Sequence, residues 1–303
     1  MSIRGFTKAV LPPPLVGVIR KQLRRRNERR FSKQALTTLR WGGFDLEIPC
    51  SHMLRDIAKV DSLRDQVIPN TASCIVRKYP SASFLDIGAN VGDTAALLAS
   101  RTRNRLILVE ASDYYFQLLS RNARLFPNET VLVQALVCDG SSIGGDLSHW
   151  GGTASFLESE SGGTRVRSAR LAELADAQTR FIKTDTDGFD FRILRGNLDW
   201  LARAKPAIVF EDQIRTQEDL TQADALFEDL TRIGYSSFIV WDDAGFHLMS
   251  TEDVRALQFL NRYQFDLWQR PVATRISNYD VLCLHREDRD IFERMCQRGS
   301  DAG

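Results

Sequence analysis

The stretch Phe84-Leu-Asp-Ile-Gly-Ala-Asn-Val-Gly-Asp93 opens the regular part of the chain. Phe84, Leu85 and Ile87 suit a buried strand, while Gly88 and Gly92 permit a tight turn into a helix and close approach of a ligand to the backbone. Downstream, apolar β-rich runs alternate with stretches of helical periodicity. The runs predict strands at Phe84–Ile87, Leu106–Val109, Val131–Val137, Phe181–Thr184, Ala207–Phe210, Ser237–Trp241 and Asp280–Leu284. Between them, apolar residues share a helical face at Val91, Ala95 and Leu98, then at Tyr115, Leu118, Asn122 and Leu125. The same spacing recurs at Phe191, Leu194, Leu198 and Leu201, and again from Leu220 to Ile233. Such alternation implies a doubly wound, mostly parallel seven-stranded α/β sheet, here in a domain spanning residues 81–286. Residues 34–80 read as a small cap, with Trp41-Gly-Gly-Phe-Asp-Leu-Glu-Ile-Pro49 as a short hairpin, and residues 287–303 as a polar, peripheral tail.

A chain of 303 residues, 43% hydrophobic, can bury a full core. No apolar run reaches transmembrane length, and Leu11–Val18 is broken by prolines and lacks the cleavage site of a secretory signal. The five cysteines are scattered and never spaced C-x-x-C, which argues for reduced thiols in a cytoplasmic setting and against a zinc or disulfide framework. Residues 1–33 hold ten Lys/Arg and one acid, a balance of +9 that leaves −8 for the rest of a chain whose net charge is +1. This arm reads either as a solvated tail or as an attachment to an acidic partner or the anionic inner face of a membrane, with Val16, Ile19 and Leu23 at helical spacing. An acidic body disfavours nucleic acid as the partner.

The second strand ends at Glu110, 22 residues beyond Gly88, where an acid can accept hydrogen bonds from both hydroxyls of a ribose. Asp86, Gly88, Asn90, Gly92 and Glu110 together point to a nucleoside site. A dinucleotide turn needs glycine where Asn90 stands, so that a pyrophosphate can sit at the helix start. A carboxylate beside the turn suits a cationic, phosphate-free cofactor instead. S-adenosyl-L-methionine, with its ammonium, sulfonium and free ribose, fits that description.

A second segment, Phe181-Ile-Lys-Thr-Asp-Thr-Asp-Gly-Phe-Asp-Phe-Arg-Ile-Leu-Arg-Gly196, places Asp185, Asp187 and Asp190 where a strand turns into a helix. Charges there must be paired, hydrated or bound to a ligand, and ligands of open α/β sheets lie just outside the carboxyl ends of the strands. Residues 138–163 form a glycine-rich connection carrying Ser148-His-Trp-Gly-Gly-Thr-Ala-Ser155, and a loop so long is usually functional or mobile.

With these motifs in place the chain resembles the FkbM-type methyltransferases. The resemblance runs from about residue 81 to 245 and rests on Phe84–Gly92, the strand end Leu108-Val-Glu110, Lys183–Gly196 and Pro206-Ala-Ile-Val-Phe-Glu211. It implies a class I, Rossmann-like fold and S-adenosylmethionine-dependent O-methyl transfer. By the same resemblance Asp86, Gly88, Asn90 and Gly92 hold the methionine part of the cofactor, Glu110 the ribose, and Asp139 lies near the adenine. The family pattern has Glu where this chain has Asp187 and Asp190, whereas Asp185 matches it.

A sugar hydroxyl is a poor nucleophile and needs a base or a metal. His149 or the Asp185 carboxylate is the candidate base. Alternatively, Asp185 with Glu211 and Asp212 offers hard oxygen ligands for magnesium. The leading reading is methylation of a hydroxyl on a glycan, glycolipid or related small molecule, the basic arm placing the enzyme beside a membrane-bound acceptor. The competing readings are a nicotinamide-dependent oxidoreductase and a non-catalytic cofactor-binding subunit.

Overall fold

The computed structural model describes residues 35–59, 64–138, 145–150, 153–158, 167–186, 188–270 and 276–300; at 64–65, 145–150, 153–158 and 298–300 the description is of the backbone. The N-terminal hairpin forms where expected. Strands β1 (Leu36–Trp41) and β2 (Phe44–Pro49) pair antiparallel around Gly42-Gly43. Both glycines are left-handed, with φ of 56° and 89°, which gives the two-residue turn whose twist matches a hairpin. Helices Leu54–Ile57 and Arg64–Lys78 then lead into the sheet.

The remaining strands are β3 (Ser83–Ile87), β4 (Leu106–Glu110), β5 (Thr130–Gln134), β6 (Leu136–Val137), β7 (Gly145–Trp150), β8 (Thr153–Glu158), β9 (Ser168–Ala169), β10 (Thr179–Thr184), β11 (Ala207–Asp212), β12 (Tyr235–Asp242), β13 (His247–Thr251) and β14 (Tyr279–His285). The main sheet has the order β13-β12-β14-β11-β10-β3-β4-β5. Strands β3, β4, β5, β10 and β11 are parallel, β14 runs antiparallel to both its neighbours, and β13 adds an antiparallel edge. All seven expected strands are therefore in one sheet, which has an eighth at its edge. The sheet is doubly wound. From β3 the chain builds outward through β4 and β5, then returns to build the other way through β10 and β11. The reversal leaves a crevice at the carboxyl ends of β3 and β10, the place where such sheets bind ligands.

Side-chain alternation along each strand divides the core into two layers. Phe84, Leu106, Phe181 and Val209 face one layer, shared with Ala95 and Leu98 of the helix Asp93–Arg101 and with Leu46 and Ile48 of the hairpin. Leu85, Ile107, Ile182 and Phe210 face the other, covered by Leu194, Leu201, Leu226 and Phe227.

Four expectations need correcting. The third strand leaves the main sheet after Gln134, and Leu136–Val137 pairs with β9 instead. The glycine-rich connection holds a hairpin, β7 against β8, in register from Gly145–Glu158 to Trp150–Thr153. The helical face running from Phe191 to Leu201 belongs to two helices, Asp190–Arg195 and Leu198–Ala204. Between them Asn197 accepts from Leu171 N (3.0 Å) and donates to Ile193 O (2.8 Å) and Cys138 O (3.1 Å). The chain end is a helix, Arg289–Ser300, that buries Ile291 and Met295 in the core. Tyr79 and Lys78 bond Asp288 and Asp290 at its start.

Candidate active site

The crevice is framed by backbone before any side chain enters it. Gly88 N and Ala89 N both donate to Val109 O, at 2.9 and 3.0 Å, so the turn folds back over β4. Gly88 and Gly92 are left-handed, with φ of 79° and 88°, and Asn90 between them is too, at 49°. Asparagine is among the few residues that accept this conformation, which accounts for its presence where a dinucleotide turn carries glycine. Gly88 has a further requirement. A Cβ there would lie 2.1 Å from the carbonyl oxygen of Asp185, and Asp185 N donates to Ile87 O at 3.1 Å. The glycine expected to admit a ligand admits the neighbouring segment of the protein as well.

Asp86 projects from β3 beneath this turn. It is fully buried, neither carboxylate oxygen accepts a hydrogen bond among the described residues, and the nearest cation, Lys183 Nζ, is 3.9 Å away. Burial pushes Asp86 up to about 7, against the pull of the Lys183 ammonium. Lys183 lies on β10 in register with Asp86 and also bonds Asp185 at 3.1 Å. Burial works against the ammonium, but Asp185 and Asp86 outweigh it and hold the lysine above its ordinary range. Lys183 is thus a fixed cation between two carboxylates, one buried and one facing the crevice.

Glu110 ends β4 and is buried. Its Oε2 accepts from Asn90 N (2.9 Å) and its Oε1 from Ser112 N (2.7 Å). The two backbone N–H groups thus orient the carboxylate at the mouth of the turn. Asp86, Gly88, Asn90, Gly92 and Glu110 therefore converge on one turn.

Next to them lies a cleft open to solvent. Lys183, Asp185, Asp93 and Asp280 supply the charged part of its lining, while Trp41 and Leu54 are among the residues of its apolar wall. Sequence reasoning passed over Asp93 and Asp280. Asp93 is the first residue of its helix, and its carbonyl accepts from Trp41 Nε1 at 3.2 Å. Asp280 is brought in by β14, in register with Glu211; only the pairing of the last strand could have revealed it.

The other candidates separate. Asp190 turns inward, accepting from Thr184 Oγ1 (2.7 Å) and Thr186 N (3.3 Å), and so closes the loop after β10. Burial and the neighbouring Asp185 push it up to about 6, against those bonds. Asp212 is buried beside Asp224 and Asp190; its burial, with these two carboxylates, pushes it up to about 8. Glu211 and Asp212 are successive residues of β11 and point to opposite faces of the sheet. The magnesium set of Asp185, Glu211 and Asp212 is not assembled. Among the described residues no group of three or more His, Cys, Asp or Glu is arranged to hold a metal ion. Asp139 and Asp187 lie outside the described residues, and of His149 only the place on β7 is described. His52, before the helix Leu54–Ile57, is brought to the turn, its Nε2 lying 3.3 Å from Asn90 Oδ1.

The family model for the methyltransferase FkbM domain matches residues 86–266. The chain belongs to the FkbM methyltransferase family. The match starts at Asp86 and takes in the turn, Glu110, Lys183, Asp185 and β11. Among solved structures, similarity extends to a methyltransferase FkbM from Methylobacillus flagellatus, 18% identical over 50% of this chain and 36% of that one, with a TM-score of 0.32. This FkbM chain thus spans about a third of that relative's length. It is also similar to a precorrin-6y C5,15-methyltransferase from Geobacter metallireducens, 16% identical over 73% of this chain and 88% of that one, TM-score 0.37. A TehB-like SAM-dependent methyltransferase from Corynebacterium glutamicum is 13% identical over 77% of this chain and 93% of that one, TM-score 0.37. No curated protein matches the chain.

Proposed function

We propose that this chain is an S-adenosylmethionine-dependent O-methyltransferase acting on a hydroxyl of a glycan, glycolipid or related small molecule. The observation that carries the cofactor reading is Asp86, a buried carboxylate with neither oxygen hydrogen-bonded among the described residues, beside a left-handed backbone turn. Such a group is costly unless a cation meets it, and the ammonium of the cofactor is a suitable one. Asp86 and the turn would hold the methionine part and Glu110 the ribose. When bound, the cofactor supplies an electrophilic methyl group on a positively charged sulfur.

The cleft supplies what an acceptor needs. Its carboxylates can accept hydrogen bonds from several hydroxyls, and its apolar wall can cover the face of a ring. Asp185 is the proton acceptor in this reading. Its carboxylate would take the proton of the acceptor hydroxyl, leaving the oxygen as the nucleophile for the methyl group that the cofactor would supply. Lys183 keeps that carboxylate in place at 3.1 Å. The family membership supports methyl transfer. An acceptor at a membrane, reached through residues 1–33, remains part of the proposal; those residues lie outside the described ones, and no described helix is long and apolar enough to cross a membrane.

The test is Asp185→Asn, assayed with labelled cofactor and glycan extracts. It is expected to bind S-adenosylhomocysteine as the wild type does and to lose methyl transfer by roughly 100-fold or more. Undiminished turnover removes Asp185 from the chemistry, and binding of NADH in place of S-adenosylhomocysteine removes the methyltransferase reading.

A further inference from the structure

We propose that His52 is a positioning residue, through which the N-terminal segment holds the cofactor turn in its binding form; the proposal rests on the cofactor reading above. His52 is buried, at 5% exposure, although it stands in an irregular stretch between β2 and a short helix. Its two ring nitrogens face different partners. Nδ1 accepts from Leu54 N at 3.2 Å, so in the neutral ring the proton sits on Nε2. That nitrogen then donates to Asn90 Oδ1 at 3.3 Å.

Asn90 is the non-glycine residue of the turn in the left-handed region, a conformation that persists when its surroundings over-determine it. Its backbone N–H is committed to Glu110, and its side chain meets the imidazole. The same ring stands edge-on to Tyr115, with centroids 6.1 Å apart, and Tyr115 N donates to Ser112 Oγ at the start of the next helix. One imidazole therefore touches both loops that build the nucleoside site: the Gly88–Gly92 turn and the helix start that follows Glu110.

Two substitutions separate positioning from packing. In His52→Gln the amide nitrogen takes the place of Nε2 and keeps the donor to Asn90, while nothing takes the place of Nδ1. In His52→Asn the Oδ1 takes the place of Nδ1 and keeps the acceptor for Leu54 N, while the donor to Asn90 is lost. The measurement is calorimetric titration of the full chain with S-adenosylhomocysteine, with a thermal unfolding midpoint recorded for each variant. His52→Ala and His52→Asn are expected to weaken binding by about tenfold, and His52→Gln by no more than about threefold. Wild-type affinity in His52→Asn or His52→Ala overturns the proposal. If a His52 variant fails to fold, Asn90→Gly supplies the second measurement, since it keeps the left-handed backbone and removes Oδ1. It is expected to weaken binding to the same degree, and wild-type affinity there also overturns the proposal. A folded wild-type chain that does not bind S-adenosylhomocysteine sinks the cofactor reading instead.

Discussion

An acid at the end of a buried strand has three ways to be tolerated: a cation, hydrogen bonds or a proton. Asp86 has a cation at 3.9 Å and no hydrogen bond among the described residues, so it keeps a proton up to about pH 7. A ligand ammonium favours the ionised form, so binding must expel that proton when the pH is below 7. Calorimetry of S-adenosylhomocysteine binding at pH 6 is therefore expected to show an enthalpy that varies with the ionisation enthalpy of the buffer. Affinity is expected to fall as pH drops below the Asp86 value, by up to about tenfold per unit. In Asp86→Asn the buffer dependence should vanish and the affinity should drop by roughly 10-fold to 100-fold. A buffer-independent wild-type enthalpy would show that no proton leaves and that the cation lies elsewhere. The partnership of Asp86 with Lys183 was not legible from the chain alone. Their 97-residue separation is bridged only by the register of β3 against β10.

At the scale of elements, hydrophobic runs made the interior strands legible, because burial on both faces demands continuous apolar sequence; β5, at one edge and half-buried throughout, was legible from the β-prone run Val131-Leu-Val133. The edge strand His247-Leu-Met-Ser-Thr251 escaped because one side is solvated and its residues are mixed. The hairpin of β7 and β8 carried a readable signal, a Gly-Gly pair between two β-prone runs, obscured by the glycines around it. Asn122 shows what patterning cannot reveal. It fits the apolar face of its helix by spacing, yet its Oδ1 accepts from Glu47 N (2.8 Å) and its Nδ2 donates to Val91 O (2.8 Å) and Glu47 O (3.0 Å). One amide thus joins β2 to the turn that holds Gly92. Asn122→Ala leaves those backbone groups without the bonds and is expected to destabilise the chain by roughly 2–4 kcal/mol. Hydrogen exchange should locate the loosening in β1, β2 and residues 89–92. A change confined to the helix Asp113–Asn122 would mean that the hairpin holds without this residue.

For the whole molecule, the buried carboxylates set how stability depends on pH. Asp190, Asp86 and Asp212 are raised by burial to about 6, 7 and 8. A raised folded value means that the native state keeps protons the unfolded chain has released, so their contribution is complete below about pH 4 and is lost as pH rises through 6 to 8. Asp229 and Asp290 act the other way: burial opposes their ionisation, but their partners prevail and hold them low, so their contribution is already in place above about pH 4. The ligand-free protein should therefore be most stable in mildly acidic solution and lose stability towards pH 8. Asp212→Asn should flatten that decline and raise stability at pH 8 by roughly 2 kcal/mol, as read from denaturant midpoints at pH 5 and 8; an unchanged slope would show that Asp212 does not hold the proton.

The close approach of Gly88 to the Asp185 carbonyl bears on how this protein could be re-engineered. A designer seeking a new acceptor would exchange the loop after β10, since that loop faces the cleft. Its first residues, however, run across a glycine with room for no side chain at all. A grafted loop must therefore reproduce the backbone path at residue 185 before its sequence can be varied, or it will displace the turn that Asp86 and Glu110 serve. The backbone at 185–186 is therefore kept as it stands, and so is Gly188: a Cβ there would meet nothing within 4 Å, but its φ of 101° strains any residue other than glycine.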